Sequence, residues 1–159
     1  MRVVRPERLS HRLGIVVLVA GLIVTVDLLT KRWAAATFAG APRTIIDPVL
    51  TFTFTENSGA SFSLLKGYGS VIGVAAFVAI GIVVASVWQP RPIGETIAFG
   101  MVAAGAIGNL VDRIARGDGL LDGKVIDWIQ FPNFPVFNVA DSSITVGVAL
   151  LLLLSWRHS

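Results

Sequence analysis

The chain has 159 residues, 54% of them hydrophobic and 14% charged, with a mean hydropathy of +0.76, whereas an average soluble domain carries about 25% charge. That balance indicates an all-α polytopic membrane protein, and at this length a single domain over 1–159 is expected. Cysteine is absent and the two histidines, His11 and His158, stand near opposite ends, which excludes disulfides, thiolate metal sites and a Cys nucleophile and leaves hydrolytic chemistry to carboxylates.

In chain order, the first apolar run is Leu13 to Leu29, close to the ~20 residues that cross a bilayer, and it follows Arg2, Arg5, Arg8 and Arg12. A cleaved signal peptide is the rival reading. Asp27 within the run and Lys31 and Arg32 after it fit that reading poorly. Asp27 and Lys31 are spaced i, i+4 in DLLTK, with the acid first, so one helical face carries both. The segment 30–70 is long and polar. Within it Val49 to Thr55, VLTFTFT, alternates at period two and breaks at Asn57, Ser58 and Gly59 before ASFSLL resumes, the pattern of a short hairpin or cradle on the membrane surface. A lid that only shields the helices fits the same pattern.

The second and third spans, Val71 to Trp88 and Ile93 to about Val111, are joined by the turn 89–92, QPRP, which is too short to cross a membrane, so the two form an antiparallel hairpin. The third span has small residues at Gly100, Ala104 and Gly108, a stripe that admits another helix closely. It ends in Asn109, Asp112 and Arg113, each of which needs a partner or an aqueous cavity. Helix capping and snorkelling also account for Asp112 and Arg113. The outer segment 114–138 holds Asp127 in the apolar context KVIDWIQF, and the fourth span, Val139 to Trp156, opens with Asp141. Lysine and arginine are densest at the N-terminus, the 89–92 turn and the C-terminus, which puts both termini in the cytoplasm and segments 30–70 and 114–138 outside.

Singly, Asp127 reads as a loop residue and Asp141 as a helix cap. Together they are two carboxylates at one membrane face in a chain with no other hydrolytic equipment, and a close pair sharing one proton can activate water. Two other classes remain open on the residues alone. A small ion or proton transporter, or a membrane carrier subunit, would use intramembrane Asp and Arg, although midplane acids are expected there. An adaptor would use the outer segment to bind a partner.

The blocks DLLTK, ENSGASFS, GAIGNLVDR, VIDW and FNVADSSI, in this order, resemble those of bacterial lipoprotein signal peptidase, the signal peptidase II family. The resemblance implies four transmembrane helices with a small extracytoplasmic β-cradle. It also implies an aspartic endopeptidase of the inner membrane that cleaves diacylglyceryl-modified prolipoproteins before the lipidated cysteine. Asp127 and Asp141 match the family's catalytic positions; Asn57, Gly59, Asn109, Arg113 and Asn138 match substrate-holding ones; Asp27, Lys31 and Asp112 match supporting ones. No metal, cofactor or nucleic acid is implied; the partners are the lipid-modified substrates and membrane lipids, and the chain is expected to be a monomer. Three features depart from the family: Ser61 in place of Ala, Trp128 in place of Phe, and a longer ARGDGLLDGK stretch, which makes the placement of Asp127 relative to Arg113 an open point. Within the pair, the first turn of the fourth helix favours negative charge on Asp141, the expected base. Apolar neighbours favour a protonated Asp127, the expected acid.

Overall fold

The computed structural model describes residues 6–59 and 69–156. Its elements run α1 (Pro6–Phe38), β1 (Arg43–Ile46), β2 (Leu50–Asn57), α2 (Gly69–Val87), α3 (Ile93–Ala115), β3 (Val125–Gln130) and α4 (Val139–Trp156). All four helices are long and apolar enough to cross a membrane. Helix α3 is the central one, packed against α1, α2 and α4, and its small residues make this possible. A Cβ on Gly100 would stand 3.1 Å from Val19 of α1, and one on Gly105 would run into the Ala140 carbonyl of α4. Gly147 of α4 meets the Ala98 carbonyl in the same way, at 2.9 Å.

Two helices are longer than their apolar runs. Helix α1 continues from Leu29 to Phe38, so residues 30–38 are helix and not outer loop. At ~1.5 Å per residue it spans about 50 Å, well past ~30 Å of hydrocarbon. TKRWAAATF holds no glycine or proline to stop it before Gly40, and packing on the sheet retains the extra turns. Helix α3 likewise runs past Val111 to Ala115, placing Asp112 and Arg113 in its last turn.

The sheet is three-stranded and antiparallel, in the order β1-β2-β3, with Thr55 opposite Asp127 and Thr51 opposite Gln130. The strand VLTFTFT therefore pairs backwards with RTII and across with β3; the segment ASFSLL, including Ser61, lies outside the described residues. Phe52 and Trp128 of the sheet pack edge-on against each other and against Trp33 of the extended α1, with Phe38 beside them. At the opposite end of the bundle Arg12 donates to the Gln89 carbonyl at 2.8 Å, tying α1 to the α2–α3 turn.

Candidate active site

Helix α4 begins with a reciprocal cap. Asn138 precedes its first turn, its Oδ1 accepts from the Asp141 backbone N–H at 2.9 Å, and Asp141 Oδ2 accepts from the Asn138 N–H at 3.2 Å. This is the capping-box arrangement, and it fixes the Asp141 side chain over the end of the helix. Asp141 is thus the third residue of the helix, the far partner of that box, and not the cap itself; Asn138 is the cap.

The same asparagine joins the two carboxylates. Asn138 Nδ2 donates to Asp127 Oδ1 at 2.7 Å and to Asn109 Oδ1 at 3.2 Å, and Asn109 Nδ2 donates to Asp141 Oδ1 at 2.7 Å. Asn57 Nδ2 donates to the other Asp127 oxygen at 2.9 Å, while Asn57 Oδ1 accepts from the Gly59 N–H. Asp127 is 2% exposed. Burial, with the Asp141 charge adding to it, pushes its pKa up to about 7 against the opposing hydrogen bonds from Asn57 and Asn138 and the charge of Lys31.

Beneath this layer lies a buried ion cluster. Lys31 Nζ is 2.7 Å from Asp27 and 2.9 Å from Asp112, and it also donates to Asn109 Oδ1 at 3.1 Å. Asp27 accepts from the Ala140 N–H, and Asp112 from the Ile126 N–H and from Arg116. The pair spaced i, i+4 on α1 is therefore one half of a clamp on α3, β3 and α4. Its orienting donor to Asn109 is not visible in the DLLTK spacing.

Arg113 is buried, and its guanidinium donates to the Gly59 carbonyl at 2.9 Å and to the Gly123 carbonyl at 3.4 Å. It ties the turn after β2 and the 116–124 loop to α3. That loop is the long stretch before Asp127, and it closes on itself. The Gly123 N–H returns to the Arg113 carbonyl at 3.0 Å, and Asp122 accepts from the Gly119 N–H. The Ile126 N–H donates to Asp112 at 3.3 Å, which anchors the start of β3 to the end of α3 next to Asp127. Trp128 points into the aromatic cluster on the face opposite Asp127, because side chains alternate along a strand.

A groove of about 300 Å³ opens between α2 and α4 over α3, lined by Ala75, Ala79, Ala106 and Ile144, with Asn109, Asp127 and Asp141 among its lining residues. The site thus has two carboxylates, each held by amide donors, beside a channel of small apolar side chains. Among the described residues no group of three or more His, Asp or Glu is arranged to hold a metal ion.

Signal peptidase (SPase) II is the family that matches residues 19–157. The chain belongs to the signal peptidase II family. Proteins named lipoprotein signal peptidase are similar to it along nearly its whole length. That of Mycobacterium avium (strain 104) is 39% identical over 94% of this chain and 82% of its own. That of Mycobacterium tuberculosis (strain ATCC 25618 / H37Rv) is 40% identical over 91% and 72%. Among solved structures, one described as a bacterial membrane enzyme superposes with a TM-score of 0.79 at 29% identity, covering 92% of this chain and 95% of that one. As a signal peptidase II the chain is a multi-pass bacterial membrane protease of lipoprotein processing, which sets aside the transporter and adaptor readings. The first span belongs to the bundle of this protease, with its Asp27–Lys31 pair buried in the core.

The 690 Å³ cavity over the sheet takes Asn57 and Asp127 into its lining, but its far wall, residues 131–136, is not among the candidate residues of the sequence. The only local signal was the proline-aromatic run FPNFPVF at Phe131–Phe137, which reads as a loop.

Proposed function

We propose that the chain cleaves diacylglyceryl-modified prolipoproteins before the lipidated cysteine, with Asp127 and Asp141 as the catalytic dyad. The observation that carries this reading is the Asn109–Asn138 bridge, which holds one carboxylate from β3 and one from α4 at the mouth of a membrane-level groove. The dyad works with one shared proton. With Asp127 protonated, the charges of Asp27, Asp112 and Asp141 balance those of Lys31, Arg113 and Arg116 around it.

Asp141 is the base, since the Asn109 amide, the N–H of the cap residue Asn138 and the α4 helix dipole act on its carboxylate in favour of the ionised form. It takes a proton from water while the water oxygen attacks the scissile carbonyl carbon, and Asp127 passes its proton to the carbonyl oxygen. Collapse of the tetrahedral adduct returns that proton to Asp127, and Asp141 protonates the departing amine of the cysteine. Asn57, Gly59, Asn109, Arg113 and Asn138 hold this geometry and present donors to the substrate backbone, and Asp27, Lys31 and Asp112 support them from below.

Small apolar side chains of α2, α3 and α4 line the groove, so in this reading the apolar signal helix enters sideways from the bilayer and the lipid stays in the hydrocarbon. Each buried CH₂ of that lipid retains the substrate at the interface by ~0.8 kcal/mol. Both termini are cytoplasmic and the dyad is near the outer face. A monomer suffices, because one chain supplies every residue of the site.

The test is cleavage of matched lipidated and unlipidated prolipoprotein by the purified protein and by Asp127→Asn and Asp141→Asn. The expected outcome is turnover of the lipidated substrate by the unmodified enzyme alone. Substantial turnover by either folded variant overturns the dyad, and equal rates on both substrates overturn the lipid requirement.

A further inference from the structure

Asp127 lies on the walls of two cavities, the groove between the helices and a larger one of about 690 Å³ over the sheet. The floor of the larger cavity is the β2–β3 ladder, where the cross-strand pairs Thr51–Gln130 and Thr55–Asp127 stand on either side of a register shift between Phe52 and Thr55. Its far wall is the loop after β3, where Phe131 is 38% and Phe134 54% exposed. These rings are not loose. Phe131 stacks on Phe137 and Phe134 meets Phe137 edge-on, both at 5.7 Å between centroids. Phe137 in turn exchanges backbone hydrogen bonds with Ile129 of β3.

The two cavities differ in chemistry. The groove presents alanine, isoleucine and valine, suited to an apolar helix. The outer cavity is lined by the polar residues Thr51, Thr55, Gln130 and Glu56 together with the two rings; the Thr51 hydroxyl is 3.5 Å from that of Thr44, and Glu56 pairs with Lys124 at 3.4 Å. An apolar signal helix fits the first and not the second. Because Asp127 lines both cavities, a peptide whose scissile carbonyl sits at Asp127 with its signal helix in the groove can continue into the outer cavity.

We propose that this cavity binds the mature side of the substrate, the residues that follow the lipidated cysteine, as an extended segment over the β2–β3 floor against Phe131 and Phe134. Thr51 and Thr55 mark its length. At about 3.3 Å per residue, the floor between them receives about four extended residues. The hydroxyls and the Gln130 amide meet the main chain of the segment, and the rings cover its side chains. The fixed wall reduces the ordering cost of binding. This inference rests on the placement of the dyad at Asp127 and Asp141.

The experiment uses lipidated substrates that end one, four or eight residues after the cysteine, and reads kcat/KM for the purified enzyme and for Thr51→Trp and Phe134→Ala. Tryptophan at Thr51 is a good strand residue that fills the cavity from the floor; alanine at Phe134 removes half-exposed wall, so both are compatible with folding. For the unmodified enzyme kcat/KM is expected to rise about tenfold from the shortest to the four-residue product segment and then level off, the gain from covering one aromatic ring. In both variants that rise should shrink to less than about threefold. A rate that ignores segment length in the unmodified enzyme overturns the subsite. So does a variant that slows all lengths equally, as expected if the cavity holds the lipid or the rings only anchor the protein in the membrane. Absence of cleavage of every lipidated substrate is a different result, and refutes the placement of the dyad itself.

Discussion

Replacing Lys31 by Met tests whether the buried ion cluster supports the site. Met matches the length of the lysine stem and keeps the packing, but it removes the cation that is 2.7 Å from Asp27 and 2.9 Å from Asp112. Lys31 is 1% exposed and Asp27 fully buried, so no water replaces the lost partner. Asp112 retains Arg116 and the Ile126 N–H, whereas Asp27 retains only the Ala140 N–H. Breaking a buried pair by removing one partner costs about 3 to 5 kcal/mol, which for a chain of this size lowers the melting temperature by roughly 6 to 20 °C. The assay is thermal unfolding in detergent, and adding Asp27→Asn to the Lys31→Met background should recover at least about 1 kcal/mol by removing the unpaired charge. Turnover should behave differently. Lys31 also donates to Asn109 Oδ1 at 3.1 Å, which turns the Asn109 amide nitrogen toward Asp141; the double variant regains stability without regaining that donor, so its turnover per folded molecule stays low. A Lys31→Met protein that melts within about 2 °C of the unmodified one, or a double variant that is less stable still, refutes the reasoning.

Three further outcomes follow from the geometry. Asp127 has its pKa raised from 3.8 to about 7, so the folded state holds the extra proton between those values and its contribution to stability, full below pH 4, is lost as pH rises through about 7, by about 4 kcal/mol. Melting temperature measured from pH 4 to 8 should therefore fall more steeply for the unmodified protein than for Asp127→Asn, and kcat/KM should decline above about pH 7; parallel melting curves would count against a buried, protonated Asp127. Gly105→Ala should destabilise the bundle by about 1 to 3 kcal/mol, because the added Cβ meets the Ala140 carbonyl and stands 2.5 Å from Ile144; unfolding in detergent checks it against Gly81→Ala, where nothing lies within 4 Å. Arg113→Lys should fail to rescue the cleavage lost in Arg113→Ala, since the forked guanidinium reaches the Gly59 and Gly123 carbonyls together and a point-charge ammonium does not; full activity of the lysine variant would show that charge alone matters.

Local chemistry made part of this protein readable without its structure. The four spans are legible because an apolar run of membrane length is a property of adjacent residues, and the strand over Leu50–Asn57 because alternation is local too. The i, i+4 spacing put Asp27 and Lys31 on one helical face, and the five blocks pointed to the family and to Asp127 and Asp141 before any contact was known. What the chain could not display in one dimension is who faces whom across the bundle. The second carboxylate on Lys31 comes from α3, the amide that links Asp127 to Asp141 through Asn109 comes from the cap of α4, and Arg113 spends its donors on two turns distant in sequence. Helix α1 runs on to Phe38 because the sheet gives its last turns an aromatic partner, and the cavity between the β2–β3 floor and the Phe131–Phe134 wall exists only once strands from distant segments pair. Hydropathy and periodicity are sums over neighbours along the chain, whereas a buried charge, a shared amide and a cavity are each defined by atoms that meet only after folding.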